Sequence, residues 1–511
     1  MLLALLLAAP ARAQEAPFPR STVQPALQQA FTAIIERHLE AAAPADMALW
    51  SLRGLGAVDT RLGADVSGGL MRLTIDDRLL LEQPVPPSGP VLPSPARRGA
   101  RPSTAEDSDA ETLAGLLARF YAAAWAASPL LQRAGTERML QSGFEELFNH
   151  LDPYSRYVTS GEALQARERR VGQSSLGLRL GAGRRGTVIV AALVPDGPAA
   201  QAGLREGDQL LSIDGYAVSA RRIIDAAELL EGLPGTEVTL LLRRGNQRHT
   251  VTLLRSAAPA STVRADRRDG ILWIRLTAFS ASTTEMLSQL LNDATAEAQP
   301  LRGVVLDLRG NRGGVLSQAM SVADAFLTGG LIASSLGRHP DSVRAWTAAG
   351  TDLSQGRPLV ILVDGRTASS AEIVAAALSD RGRAVVVGSS TLGKGLIQIV
   401  IPLSNGAEVL ISWSRVLAPQ GWPVQGLGVQ PAICTSLGLD SVRTELAQLS
   451  AGQAPRAAVL ARLRAARPPV PASEVAALRA TCPPAEEREL DSEVAKALID
   501  QPRLLNTALS P

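Results

Sequence analysis

Two residues carry the strongest chemical signal in the chain, and both lie in one stretch that begins at Pro358. It reads P-L-V-I-L-V-D-G-R-T-A-S-S-A-E-I-V-A-A-A-L-S-D-R-G-R-A-V-V-V-G-S-S-T-L-G-K-G-L-I-Q. An apolar strand runs into a small-residue turn holding Ser369. A helix and a second strand follow, and then comes Lys394 between Gly393 and Gly395, so the whole is a β-α-β unit. Of 51 Lys+Arg, only Lys394 and Lys496 are lysines. A chain that uses arginine wherever a cation need only be solvated gives a glycine-bracketed lysine a chemical meaning. Arginine cannot release its proton in a protein, whereas a buried lysine amine can be tuned to act as a general base. The alternative is chance placement, which suits Lys496 in a C-terminal helix.

Ser369 has two readings. Ser369 to Glu372 is S-x-x-E, a capping box in which the hydroxyl caps the first turn and the glutamate reaches back. A serine between a strand and a helix N-terminus also has free backbone N–H groups and the positive end of the helix dipole beside it, the parts of an oxyanion site. The four histidines, His38, His150, His249 and His339, are scattered. A serine–lysine dyad is therefore favoured over a Ser-His-Asp triad.

Four stretches together resemble the carboxyl-terminal processing peptidases, or tail-specific proteases, which are PDZ-containing serine peptidases with a Ser-Lys dyad. They are L-D-P-Y-S-R-Y-V-T at 151–159, a PDZ-like segment at about 172–255, D-L-R-G-N-R-G-G at 307–314, and the T-A-S-S-A-E to G-K-G-L-I-Q run. The resemblance covers roughly residues 104–435. It implies Ser369 as nucleophile, Lys394 as general base and Gln398 as the residue that holds the amine. It also implies oxyanion donors from Gly313 or Gly314 and from the Ser370 N–H. Ser370 is the rival nucleophile. Arg312 stands where the family often has proline, Asp364 where asparagine is common and Ser389 where glutamate is frequent. None of these removes a reacting group.

The elements that must position these residues follow in chain order. Residues 1–13, M-L-L-A-L-L-L-A-A-P-A-R-A, end in an A-x-A pattern and read as a signal peptide. Its missing basic segment points to a true start upstream of Met1. An uncleaved anchor is disfavoured because Leu2 to Ala9 is too short to span a bilayer. Residues 14–83 form an N-terminal accessory region, with helical spacing over Ala26 to Ala42 and strand character over Met71 to Leu81. Residues 84–103 are a proline-rich linker. Residues 104–168 read as a helical arm, with Leu113, Leu116, Leu117 and Phe120 at helical spacing. The arm closes on the Asp152-Pro153 turn, whose acid is read as structural.

Residues 169–256 have short β runs, the Gly207-Asp208 turn and a helix around Ile223 to Leu230, in the order of a circularly permuted PDZ domain. Ser175, Leu176, Gly177 and Leu178 match the loop that would capture a peptide's C-terminal carboxylate, with a free strand edge beside it. The alternative is a degenerate PDZ fold that only packs on its neighbour. Residues 257–440 read as the peptidase core. Strands are expected at Gly270 to Leu276, Gly303 to Leu308, Val400 to Leu410 and Ile411 to Val416, with helices at Thr283 to Ala294 and Val315 to Leu327. Repeated β-α units make it an α/β core, and the resemblance implies a relation to the crotonase and Clp-protease folds. Residues 441–511 are a C-terminal helical extension, with Leu490, Val494 and Leu498 on one apolar face.

The expected fold is thus an α/β catalytic core with an inserted PDZ domain and flanking helical regions. A net charge of +2 and 3% aromatic residues give no support to a nucleic-acid surface. No histidine or cysteine set has ligand spacing, so neither metal nor cofactor is expected. Cys434 and Cys482 are the only cysteines, and export would allow one disulfide between them, worth roughly 4 kcal/mol on the chain-entropy model. The expected function is an exported, periplasmic serine endopeptidase acting on C-terminal tails of proteins. A non-catalytic PDZ adaptor and a crotonase-like acyl enzyme are the alternatives. Peripheral membrane association and oligomeric state stay open.

Overall fold

The computed structural model describes residues 17–86, 104–163, 176–183, 186–193, 197–220, 226, 229–230, 235–255, 262–280, 282–297 and 299–509. The expected signal peptide, nearly all of the proline-rich linker and Ser175 lie outside the described residues. So does the helix expected around Ile223 to Leu230, apart from Ala226, Leu229 and Leu230, which are helical. The chain forms two compact units, one of residues 1–164, 337–342 and 397–414, the other of residues 165–336, 343–396 and 415–511.

In the first unit, helices Arg20–Arg37, Pro44–Arg53, Thr104–Ala127 and Pro129–Asn149 enclose one core with a three-stranded antiparallel meander, Leu62–Ser67, Leu70–Ile75 and Arg78–Pro84. Residues on both sides of the linker segment share this core: Leu27, Phe31 and Leu52 pack in it with Phe120, Phe144 and Leu147. Pro129 opens its helix at a position where no N–H is needed, and the Ser128 hydroxyl accepts from Leu131 N at 3.2 Å. Close helix crossing sets the glycines, since a Cβ on Gly143 would lie 2.1 Å from Tyr121 Oη. Strands Arg156–Val158 and Glu408–Leu417 pair antiparallel, Tyr157 against Val409.

The reading of Val400 to Leu410 as one strand is corrected. Strand Leu396–Pro402 ends before a turn in which Gly406 N donates to Leu403 O at 3.0 Å, and the next strand starts at Glu408. Gly406 has φ +85, a backbone state that favours glycine and interrupts a strand.

The second unit carries two sheets of six strands and part of a third. The first contains Leu178–Ala182, Val188–Leu193, Gln209–Ile213, Glu237–Arg244 and Gln247–Leu254 around a small core of Val188, Ile213, Leu240 and Leu242. The second runs in the order Val263–Arg268, Ile271–Leu276, Gly303–Asp307, Leu359–Val363, Val385–Gly388, Ile433–Cys434, parallel after its first pair. Its central strands are buried throughout, as a parallel sheet covered on both faces requires. One face, with Val305, Val360, Leu362 and Val387, packs on Val494, Leu498, Ile499 and Leu505 of helices Glu489–Asp500 and Pro502–Leu509. These C-terminal helices thus cover one face of this sheet. A disulfide joins Cys434 to Cys482. Among the described residues, no helix is long and apolar enough to cross a membrane.

Candidate active site

Strand Leu359–Val363 leads into the turn Asp364–Ala368 and then into helix Ser370–Asp380. Asp364 Oδ1 shapes the turn by accepting the N–H groups of Gly310, Arg366 and Thr367 at 2.9, 3.0 and 2.9 Å. Acceptance of N–H groups is work that the asparagine expected here by resemblance does equally. Ser369 has φ +56 and ψ −120, a left-handed state that a residue with a Cβ adopts only when its surroundings enforce it. The Glu372 N–H donates to the Ser369 carbonyl at 2.9 Å, and the Glu372 carboxylate reaches back to accept the Ser369 N–H at 2.8 Å, as the capping-box spacing predicts.

Glu372 is the hub of the site. Its side chain is buried in a helix whose other buried residues, Ser370 apart, are apolar. Oε2 accepts from Ser369 N and from Lys394 N, each at 2.8 Å. Oε1 accepts from Gly393 N at 2.6 Å and from the Thr391 hydroxyl. One carboxylate oxygen thus ties the backbone of Ser369 to that of Lys394. Burial pushes the Glu372 carboxyl up, and the four donors pull it down without cancelling that effect.

The glycines around Lys394 follow from close packing. A Cβ on Gly395 would meet Gln425 N at 2.3 Å, and one on Gly393 would meet Gly426 O at 3.0 Å. Gly426 N donates to Gly393 O at 2.9 Å and Gly395 N donates to Gln425 Oε1 at 2.9 Å, so two loops interlock with the half-buried Lys394 between them.

The D-L-R-G-N-R-G-G loop is locked in the same manner. Arg309 makes a bidentate pair with Asp307 at 2.8 and 2.7 Å and also donates to Arg488 O and Asp491 Oδ2. Asn311 bonds to Leu276 O through Nδ2, and its carbonyl accepts the Ala368 N–H at 2.9 Å. Gly313, with φ +96, passes so close that a Cβ there would lie 2.8 Å from Ser369 Cβ. Its N–H is engaged by Asn311 Oδ1 at 2.8 Å. Among the described residues, no acceptor takes the N–H of Gly314 or of Ser370. The Ser370 hydroxyl is committed to Gly314 O at 3.0 Å, which argues against the rival nucleophile. Arg312 is exposed, and Ser389 both donates to and accepts from the Ala485 backbone.

Peptidase family S41 matches residues 270–435, and a PDZ domain matches residues 189–244. A carboxy-terminal-processing protease of Bartonella bacilliformis is 32% identical over 302 residues, 58% of this chain and 69% of that protein. The chain belongs to the carboxy-terminal processing proteases of family S41. It is a serine peptidase with a PDZ domain. A carboxyl-terminal-processing protease of Synechocystis is 36% identical over 46% of this chain and 56% of its own length. The solved photosystem II D1 C-terminal processing protease is 28% identical over 59% of this chain and 82% of that one, with a TM-score of 0.37.

Of the residues expected in the S41 site, Ser369, Ser370, Lys394, Gly313 and Gly314 come together in the second unit. Gln398 belongs to the first, where its Nε2 donates to Ser412 Oγ at 3.3 Å. Ser412 Oγ in turn donates to Asp152 Oδ1 at 2.8 Å, and buried His38 meets Asp152 Oδ2 through Nε2 at 2.8 Å. In the PDZ domain Leu176 and Gly177 are buried, Leu178 opens the first strand, and Gly177 has φ +69. Leu176 O accepts from Ala199 N at 2.8 Å. Sequence reasoning weighed Glu372 only as a capping acid and missed Asn311 and Thr391. The available signal was an acid followed by an uninterrupted apolar run, E-I-V-A-A-A-L, within one helix.

Proposed function

We propose that this peptidase cleaves exported proteins at or near their C-terminal tails with Ser369 as nucleophile and Lys394 as general base. Lys394 Nζ takes the Ser369 hydroxyl proton as Oγ adds to the scissile carbonyl, and then returns it to the leaving amine. The Gly314 and Ser370 N–H groups receive the developing oxyanion, with the dipole of helix Ser370–Asp380 behind them. The PDZ domain captures a tail by adding it as a strand beside Leu178–Ala182, its end carboxylate at the Leu176–Gly177 backbone. The core is of the crotonase and Clp-protease kind, and the site of action is the periplasm. The observation that carries this reading is the single Glu372 oxygen that accepts both the Ser369 and the Lys394 amide.

The test is degradation of an unfolded model protein with an apolar C-terminus by wild type, Ser369→Ala and Lys394→Ala. Turnover by wild type alone, with tail binding intact in all three, is the expected result. Cleavage by either variant at the wild-type rate overturns the dyad.

A further inference from the structure

Arg479 lies outside the span matched by the S41 family, in the last turn of helix Ala472–Ala480 of the C-terminal extension. Its Nη1 donates to Thr391 O at 2.8 Å, to Leu427 O at 3.2 Å and to Gly426 O at 3.5 Å. The first carbonyl belongs to the loop that carries Lys394. The other two belong to the loop interlocked with it through Gly393 and Gly395.

Thr391 is engaged at four points at once, its N–H donating to Val429 O at 3.2 Å. Its hydroxyl donates to Glu372 and accepts the Val429 N–H at 2.7 Å, and its carbonyl receives Arg479. The cation therefore stands one residue from the carboxylate that fixes both Ser369 and Lys394. Burial lowers the pKa of the guanidinium, and the nearby Glu372 charge offsets part of that. The helix is held where it must be, because Cys482 is bridged to Cys434 and its carbonyl accepts the Ser390 hydroxyl.

We propose that Arg479 is a positioning residue for the reaction, setting the height of the Lys394 loop through Thr391 and so the placement of the base against Ser369. This rests on the Ser369–Lys394 reading. A displacement of about 1 Å at a reacting group costs on the order of a hundredfold in rate, so loss of the three carbonyl contacts acts on turnover rather than on binding.

The experiment measures kcat, KM, tail affinity of the PDZ domain and melting temperature in the full chain for Arg479→Ala, Arg479→Gln and Arg479→Lys. Arg462→Ala is the control, since Arg462 pairs with Glu474 on the exposed side of the same helical hairpin. For Arg479→Ala and Arg479→Gln, kcat is expected to fall by about tenfold to a hundredfold with KM and tail affinity within about twofold of wild type. Arg479→Lys is expected to recover part of kcat, because an ammonium can still donate to Thr391 O. If Arg479→Ala does not fold, the contrast between Arg479→Gln and Arg479→Lys decides. The inference is overturned if kcat stays within about twofold of wild type in the neutral variants. It is equally overturned if Arg479→Lys is no better than Arg479→Gln and melting temperature falls with kcat. Ser369→Ala and Lys394→Ala in the same assay separate the two failures. If they are inactive while Arg479→Ala is fully active, the positioning role alone fails. If they cleave normally, the dyad itself fails.

Discussion

The half-buried Asp152 and the fully buried Glu372 both begin as acids in short motifs, yet they are built in opposite ways. In the first unit, Asp152 is satisfied mainly by side chains, His38, Ser155 and Ser412, with the Tyr154 and Ser155 N–H groups completing its shell. Burial opposes its ionisation, but these donors more than offset it and hold the carboxyl well below the usual carboxylate range. In the second unit, Glu372 has one hydroxyl and three backbone amides, and burial wins. The lesson is that an acid satisfied by backbone amides fixes the path of the chain. Here it fixes the chain at the two residues that the chemistry needs. Asp152 binds side chains that are distant in sequence and so stabilises its own unit.

The comparison breaks first at Glu372→Gln. An amide nitrogen placed among four donors must turn toward at least one N–H: in place of Oε2 it opposes both the Ser369 and the Lys394 amides, and in place of Oε1 it opposes the Gly393 amide beside the base. Turnover is expected to fall by at least about a hundredfold while PDZ tail affinity is kept, read by steady-state kinetics beside tail titration. Asp152→Asn is next. It leaves hydroxyl donors and the buried His38 underused, and is expected to cost about 1–3 kcal/mol, read as a shift of the urea midpoint.

The pH dependence sharpens the contrast because the signs are opposite. The Asp152 pKa is depressed in the fold, so its contribution is present above its unfolded value of about 4 and is lost as pH falls below that. The Glu372 pKa is raised, so its contribution is complete below about pH 4.3 and is lost as pH rises through the folded value. Midpoints measured from pH 7 downward should show the gap between wild type and Asp152→Asn closing in acid. The gap between wild type and Glu372→Gln should widen. The smallest effect belongs to an exposed carboxylate: Glu474→Gln, which breaks the surface pair with Arg462, should leave melting temperature and turnover unchanged.

What the sequence could convey followed from locality. Ser369, Lys394 and the glycine loop stand in contiguous motifs whose spacing reports the strand–turn–helix unit. Gly393 and Gly395 announce the close approach that the Gln425 and Gly426 backbones make. Asp152 is legible as a turn acid because Tyr154 and Ser155 are its neighbours, but His38 and Ser412 meet it across more than a hundred residues each and leave no local pattern. Arg479 is hidden for the same reason, in a stretch rich in alanine and arginine where nothing marks one cation as buried. The apolar face of Val494 and Leu498 was visible in the sequence, but not that it seals the catalytic sheet.

The most direct test of the account is mass-spectrometric mapping of the adduct formed by a fluorophosphonate that reacts only with an activated serine. A single phosphonylated residue at Ser369, its formation slowed in Lys394→Ala and in Glu372→Gln, is the predicted result. An adduct at Ser370, or cleavage of substrate that persists with Ser369 blocked, would contradict it.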